Sequence, residues 1–373
     1  MITETDLQEP AVSKLNIHQK LQRLKDNFTF VFQPRRKPKL FARILRAYLT
    51  YSLNREYHKR PLRNIDVALT YACNLKCEHC SCELMKSKSQ PLTKSDYIRF
   101  AREAMDMGTI YFSFTGGEVL LRKDLEEIIK EFHPWENLIG LQTNAVLLTP
   151  DRIDSLYDAG LDALQISLDS FDPAEHDKFR NQKGSFEATI ANAKLALKKG
   201  IKIIFCSTIT KSTLRTKEIR NLLQFCKELN CPIVVSIPCP VGNWSGNFSQ
   251  CFDDDDRAYF AQLQKEFPHL RRDFHSNYAR IGCSAATEKL YLTPYGDIIP
   301  CPFIHLSFGN IKTEPLRAIR NRMLNLQNFT QYNQVCLAGE DMDFIEKYLR
   351  PTFDAHHLPM RWDDHPVLKE ELR

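Results

Sequence analysis

From residue 65 the chain alternates short apolar runs with amphipathic stretches, and no other feature restricts its fold so strongly. "IDVALT" (65–70), "IYFSF" (110–114), "LIGLQT" (138–143), "ALQISL" (163–168), "IKIIFCSTI" (201–209) and "PIVVSI" (232–237) are rich in apolar and β-branched residues, as strands covered on both faces are. Helices are predicted between them at 94–107, 122–132, 150–159, 186–199 and 216–229. Pro150 suits a first helical turn and Gly200 a stop. Strands joined by helices predict a parallel α/β sheet with right-handed crossovers, either an open or partial barrel or a doubly wound sheet. After about residue 240 the rhythm ends. "CFDDDDRAYFAQLQKEF" reads as an acidic cap and a short helix, and "KLYLT" with "DIIPC" as a hairpin turning at Pro294-Tyr295-Gly296.

In such sheets the functional groups gather where strand carboxyl ends meet their loops. The first loop carries Cys73-x3-Cys77-x2-Cys80, with Cys82 just beyond. The second carries Gly116-Gly117-Glu118 and the third Thr143-Asn144-Ala145. The fourth strand holds Ser167 and runs into Asp169 and Ser170; the fifth holds Ser207 and Thr208; the sixth gives way to "PCPVGNW". Three thiols at this spacing can wrap one metal centre from a single loop. A zinc site using Cys82 as fourth ligand is the alternative, although zinc motifs usually pair two separated knuckles. Disulfides are disfavoured by a cytoplasmic, reducing setting, which is expected because "MITETDLQEP" is not a secretory signal and no long apolar run looks like a span. Two glycines before a carboxylate let a strand edge approach a ligand and receive an ammonium group.

Together these motifs resemble the radical S-adenosylmethionine (SAM) superfamily, within it the branch with cysteine-rich C-terminal extensions, the SPASM and twitch group. The resemblance implies a partial (β/α)6 barrel with a small C-terminal twitch-like β-hairpin and helix cluster domain. Cys73, Cys77 and Cys80 would hold a [4Fe–4S] cluster whose open iron binds SAM, and the reduced cluster would cleave SAM to a 5′-deoxyadenosyl radical that abstracts hydrogen from an unidentified substrate, whether natural product, peptide or lipid precursor. Gly116, Gly117 and Glu118 would meet the methionine amino group. Ser167 and Asp169 would lie near the ribose or carboxylate, Arg180 is a candidate for the SAM carboxylate, and Asn144 and Thr208 are further candidates. For Arg180 the competing reading is a solvated charge at a helix end. A reductant such as flavodoxin or ferredoxin is implied as partner, and no nucleic acid. The sequence departs from the family at His79, where an aromatic residue usually precedes the third cysteine, and on the fifth strand, which lacks a recognisable glycine-rich adenine contact.

Cys283-x12-Gly296-x4-Cys301 matches the opening of the branch's extension, and of its later cysteines only Cys336 remains. One auxiliary [4Fe–4S] cluster on Cys283, Cys301 and Cys336 is expected rather than two, its fourth position taken by His275, Cys251 or substrate. The competing reading is three buried structural cysteines. Cys206, Cys226, Cys231, Cys239 and Cys251 belong to no motif; Cys206 and Cys226 are expected in the core, and His356, His357 and His365 in an exposed tail.

The domain division expected is a basic helical extension (1–60), the barrel (61–245), a linker helix with the auxiliary domain (246–340) and a tail (341–373). Net charge is +5, yet residues 35 to 63 alone carry +9, leaving the remainder at about −4. Residues 14–28 and 39–53 have helical periodicity. In the second, Leu40, Phe41, Ile44, Leu45, Tyr48 and Leu49 share a face beside Arg43 and Arg46. That face either docks on the catalytic domain with its basic side in solvent, the favoured reading, or lies at a membrane surface. An iron–sulfur electron carrier or zinc-stabilised binding module without SAM chemistry is the alternative to the enzyme.

Overall fold

The structure is a computed structural model, and it describes residues 37–54, 56–272 and 282–373. The predicted helix at 14–28 and His275 lie outside these residues, as do Arg35, Arg36 and Arg55 of the basic segment. The strands are β1 (Asn64–Thr70), β2 (Tyr111–Gly116), β3 (Leu138–Thr143), β4 (Ala163–Ser167), β5 (Lys202–Thr208), β6 (Ile233–Ser236), β7 (Leu270–Arg272), β8 (Lys289–Leu292) and β9 (Ile298–Ile299). They form one nine-stranded open sheet in the order β7-β6-β5-β4-β3-β2-β1-β8-β9. Every pairing is parallel except β8 with β9, so the six predicted strands lie side by side in chain order.

Among the helices are α1 (Pro38–Leu53), α2 (Lys94–Asp106), α3 (Leu125–Glu131), α4 (Pro150–Ala159), α5 (Pro173–Arg180), α6 (Ser185–Lys198), α7 (Lys217–Glu228), α8 (Asp254–Glu266) and α9 (Leu316–Met323). Their starts follow local chemistry. The Thr93 and Asp253 side chains close capping boxes, and Thr149 and Thr216 each accept a backbone N–H of the first turn. The predicted acidic cap before α8 is thus a reciprocal pair, Asp253 with Asp256.

Alternation along each strand sorts two environments. Ile65, Val67 and Leu69, Phe112 and Phe114, Leu164 and Ile166, and Ile203 and Phe205 join the core beneath the helices. The opposite faces line the concave interior and are linked by polar side chains. Gln142 connects Thr115 (2.7 Å) to Gln165 (3.2 Å), and the Gln165 amide donates to Tyr111 Oη (2.6 Å) and Ser113 Oγ (3.1 Å). Cys206 belongs to this inner face, its thiol 3.8 Å from Gln165 Oε1; the core expectation holds for Cys226 and not for Cys206. Strand parity explains the difference, because Phe205 takes the core side.

Three further corrections concern the periphery. Helix α1 docks on the barrel, yet through Leu40, Ala47 and Tyr51, while Phe41, Leu45, Tyr48, Leu49 and Leu53 stand exposed. Basic groups turn inward: Lys37 Nζ meets Asp162 (2.5 Å) and Arg43 Nη2 donates to the Thr109 carbonyl (2.6 Å). The tail is not loose. Phe344, Ile345, Leu349 and Leu368 are buried, and β11 (Met360–Arg361) pairs with β10 (Leu306–Ser307). His356 and His357 are exposed as expected, but His365 is buried between the Tyr348 carbonyl and the amides of Val367 and Leu368. The hairpin is present, with Gly296 at φ +101° in its turn. Its first strand also extends the main sheet by pairing parallel with β1, from Asn64↔Lys289 to Val67↔Leu292.

Candidate functional site: the mouth of the sheet

The loop after β1 lies at the carboxyl end of the parallel strands and is held from two directions. From α5, Phe179 O accepts the Glu78 amide (3.0 Å). From the β6 loop, the Asn243 amide donates to Cys80 O (3.0 Å) and its side chain to Cys77 O (2.9 Å). Gly242, at φ +63°, permits this approach, because a Cβ there would sit 2.2 Å from Cys80 O. Within the loop Cys73 is exposed, Cys77 buried and Cys80 in between, and their thiols are close enough to interact electrostatically. Soft thiol donors at graded depth, on a loop clamped through its backbone, fit an iron–sulfur cluster.

Cys82 points elsewhere. Its thiol lies 3.7 Å from the Gly116 carbonyl and 3.9 Å from Tyr291 Oη, and burial pushes it up to about 12. His79 stacks on Phe179 with centroids 4.5 Å apart and planes at 13°, beside Trp244. The imidazole thus packs as a flat ring; burial, then Arg180, lowers it to about 4, so it is neutral.

The double glycine is explained by close approach to the cysteine loop. A Cβ on Gly116 would meet Thr70 O at 2.1 Å, and one on Gly117 would meet Ala72 O at 2.2 Å. Gly117 N and Glu118 N donate to these same carbonyls. The Glu118 carboxylate is fully buried and engaged, accepting Leu120 N, Thr143 Oγ1 and Asn144 N. It staples the end of β2 to the end of β3, and burial raises its pKa despite these donors. Asn144 reaches the cysteine loop itself through Asn74 (2.9 Å).

Arg180 is not a solvated helix end. It is buried, its Nε 2.6 Å from Asp169 Oδ2 and its Nη1 3.7 Å from the Cys77 thiol. Asp169 also accepts the Thr208 amide (2.9 Å) and gives its own amide to His176 Nδ1 (3.3 Å). Burial alone would raise the Asp169 carboxyl, but the Arg180 guanidinium holds it below the ordinary range. The arrangement sets a permanent cation against Cys77, where a thiolate needs one. Ser167, half-buried, ends β4 on the inner face near this pair. The sequence reading missed Asn74, His176, Gly242 and Asn243; only "PCPVGNW" signalled the last two.

The C-terminal thiols converge as well. Cys283, Cys301 and Cys336 line one cavity with Arg272, Lys289 and Phe303. Cys283 N donates to Asn333 O (2.7 Å), tying the first ligand candidate to the segment that leads into Cys336. Cys251 donates to Pro238 O (3.6 Å) and Cys239 to Ile237 O (3.3 Å), and the Cys239 thiol is close enough to that of Cys336 to interact with it electrostatically. This donor set suits an iron–sulfur group in the same way.

Two family models match the chain, one described as the radical SAM superfamily (residues 67–226) and one as an iron–sulfur cluster-binding domain, SPASM (residues 283–338). The chain belongs to the radical SAM superfamily, in its SPASM branch. It is 28% identical over 280 residues to an AdoMet-dependent heme synthase of Methanosarcina barkeri, covering 67% of this chain and 80% of that protein. A protein of the same description from Nitratidesulfovibrio vulgaris is 22% identical over 292 residues, covering 70% and 79%. Among solved structures, Streptococcus suis SuiB bound to S-adenosylmethionine shares the fold at TM-score 0.56 and 18% identity, over 69% of this chain and 65% of SuiB. Native anSMEcpe with bound AdoMet does so at TM-score 0.57 and 16% identity, over 78% and 98%.

Radical SAM chemistry is therefore the activity, with [4Fe–4S] clusters and SAM as its cofactors. Bound there, they supply a 5′-deoxyadenosyl radical that takes hydrogen from the substrate. Among the described residues no helix is long and apolar enough to cross a membrane.

Proposed function

We propose that Cys73, Cys77 and Cys80 are the ligands of the SAM-binding cluster, and that backbone groups of Gly116–Glu118, not the Glu118 carboxylate, receive the SAM amino group. The three donors already on that carboxylate support this reading. Ser167 and Thr208 flank the ribose side. The Asp169–Arg180 pair presents the guanidinium to Cys77 and to the SAM carboxylate. The observation that carries the assignment is the meeting of three clamped thiols, a glycine pair and a buried cation at one end of a parallel sheet. Cys283, Cys301 and Cys336 hold the auxiliary cluster.

The substrate class we favour is a tetrapyrrole of the kind a heme synthase handles, on the strength of the two relatives so described. Hydrogen abstraction leaves an unpaired electron on the substrate. A second cluster supplies somewhere to send it, which favours a net oxidation or an oxidative elimination, with flavodoxin or ferredoxin as reductant. Anaerobic reconstitution tests the whole. Dithionite-dependent 5′-deoxyadenosine should form and be lost in Cys77→Ala, and deuterium from a labelled tetrapyrrole should enter it. Label arriving only from a peptide or lipid substrate would refute the substrate class and leave the chemistry standing.

The exposed ridge Phe41, Leu45, Tyr48, Leu49 and Leu53 beside Arg46 supports peripheral contact with an anionic membrane. Liposome sedimentation unchanged by Leu45→Asp with Leu49→Asp would end that reading.

A further inference from the structure

Cys239 belongs to no motif, yet it occupies a specific position. It follows β6 in "IPCP", between Pro238 and Pro240, which leave its backbone little freedom. Only 5% of the residue is exposed. Its thiol donates to the Ile237 carbonyl (3.3 Å) and lies close enough to the thiols of Cys336 and Cys301 to feel their charge. The contact is built from both sides. The turn Cys336–Glu340 is fixed by Glu340 Oε2, which accepts Cys336 N (2.7 Å) and pairs with Arg272 Nη2 (2.6 Å) on β7. Gly339 in that turn lies face-on to the end of β6, where a Cβ would meet Pro238 O at 2.6 Å and Cys239 Sγ at 3.0 Å. A larger residue at 339 would press on the Cys239 thiol and on the backbone beside it. Cys251 donates its thiol to the Pro238 carbonyl (3.6 Å) much as Cys239 does to Ile237, so what sets Cys239 apart is its seat against Gly339 in the turn that carries Cys336.

We propose that Cys239 is the fourth protein ligand of the auxiliary cluster, contributed by the barrel to a site otherwise made by the C-terminal domain. The inference rests on Cys283, Cys301 and Cys336 being the other three. A cube closed by four thiolates offers no iron to a substrate atom. Substrate recognition then falls to side chains around the cavity, such as Arg272, Lys289 and Phe303, and the cluster's role narrows to electron exchange.

The test uses the full chain with Cys73, Cys77 and Cys80 all changed to Ala, so that only the auxiliary cluster can form. Anaerobic reconstitution should give about four irons per chain, and the resonance of the dithionite-reduced cluster should not change when imidazole is added. Adding Cys239→Ala should either convert the cluster to a three-iron form or make its spectrum imidazole-sensitive, whereas Cys251→Ala should leave it imidazole-insensitive. Thermal unfolding of the metal-free variants checks that the fold survives. An unchanged, imidazole-insensitive spectrum in Cys239→Ala overturns the proposal, as does sensitivity already present before that change. Failure of the triple variant to load any iron overturns the three-ligand reading beneath it, which is a distinguishable outcome.

Discussion

Gly117→Ala is the sharpest probe of how the mouth of the sheet is built. The new methyl would lie 2.2 Å from Ala72 O, 2.8 Å from Ala72 C and 2.9 Å from Tyr71 C. Carbon and carbonyl oxygen normally stand about 3.3 Å or more apart, so the cysteine loop must retreat by roughly 1 Å. All three contacts are backbone, and no side chain can swing away. The retreat stretches the bonds from Gly117 N to Thr70 O and from Glu118 N to Ala72 O, 2.7 and 2.9 Å long. Overpacking of this kind costs about 1–3 kcal/mol, and weakening two hydrogen bonds adds about 1 kcal/mol each. The functional loss should be larger than the stability loss suggests, since a 1 Å misplacement at a reacting centre costs about 100-fold. Gly200→Ala is the control. Gly200 has φ +85° and nothing within 4 Å of a built Cβ, so it should lose about 1 kcal/mol from backbone strain alone. Iron content, thermal unfolding and the initial rate of 5′-deoxyadenosine formation would be measured for both. Gly117→Ala should load less iron or cleave SAM at least about 100-fold more slowly, while Gly200→Ala stays near the wild-type rate. Wild-type loading and rate in Gly117→Ala would refute the close-approach account.

Other outcomes follow from the same geometry. Arg180→Met leaves Asp169 buried without its cation and should cost about 3–5 kcal/mol in denaturant unfolding; the double variant with Asp169→Leu should be less damaged than the single one. Cys82→Ala should keep the cluster and SAM cleavage, because its thiol faces Gly116 O and Tyr291; loss of iron there would revive a four-cysteine site. His305 is almost fully buried, and burial lowers it to about 4. Its unfolded value, about 6.5, is higher, so the neutral form is favoured by folding. The contribution is therefore present above about pH 6.5 and is lost as pH falls toward 4, by at most about 3 kcal/mol. His305→Gln should flatten the pH dependence of urea unfolding between pH 7.5 and 5.5, and an unaltered slope would contradict this.

The parallel strands were legible because each is a compact apolar run bounded by turn residues, and the cysteine loop because its three thiols are local in sequence. Contacts that depend on distant partners were not. Cys239 has no sequence signal, since the thiol that gives it meaning is Cys336. Arg180 looks like an ordinary last-turn cation until α5 folds it against Asp169. Helix α1 is apolar on more than one side, so periodicity alone could not tell the docked residues Leu40, Ala47 and Tyr51 from the exposed ridge. The tail is built from short turns that lack any repeat, and its burial is set by packing of residues such as Phe344 and Leu368.

The parallel pairing of β8 with β1 has a consequence for how the protein is made. Strand β1 carries the cysteine loop and begins at residue 64, yet its second neighbour does not exist until residue 292 has left the ribosome. Throughout that interval one flank of β1 is an unpaired edge, with apolar residues on one side, of the kind that recruits foreign strands. The catalytic half therefore cannot be completed vectorially. Its first strand waits for the far end of the chain, and metallation of the first cysteine loop in a finished site is an event that follows synthesis. Chains truncated before residue 289 should accumulate as aggregates instead of as a smaller active barrel.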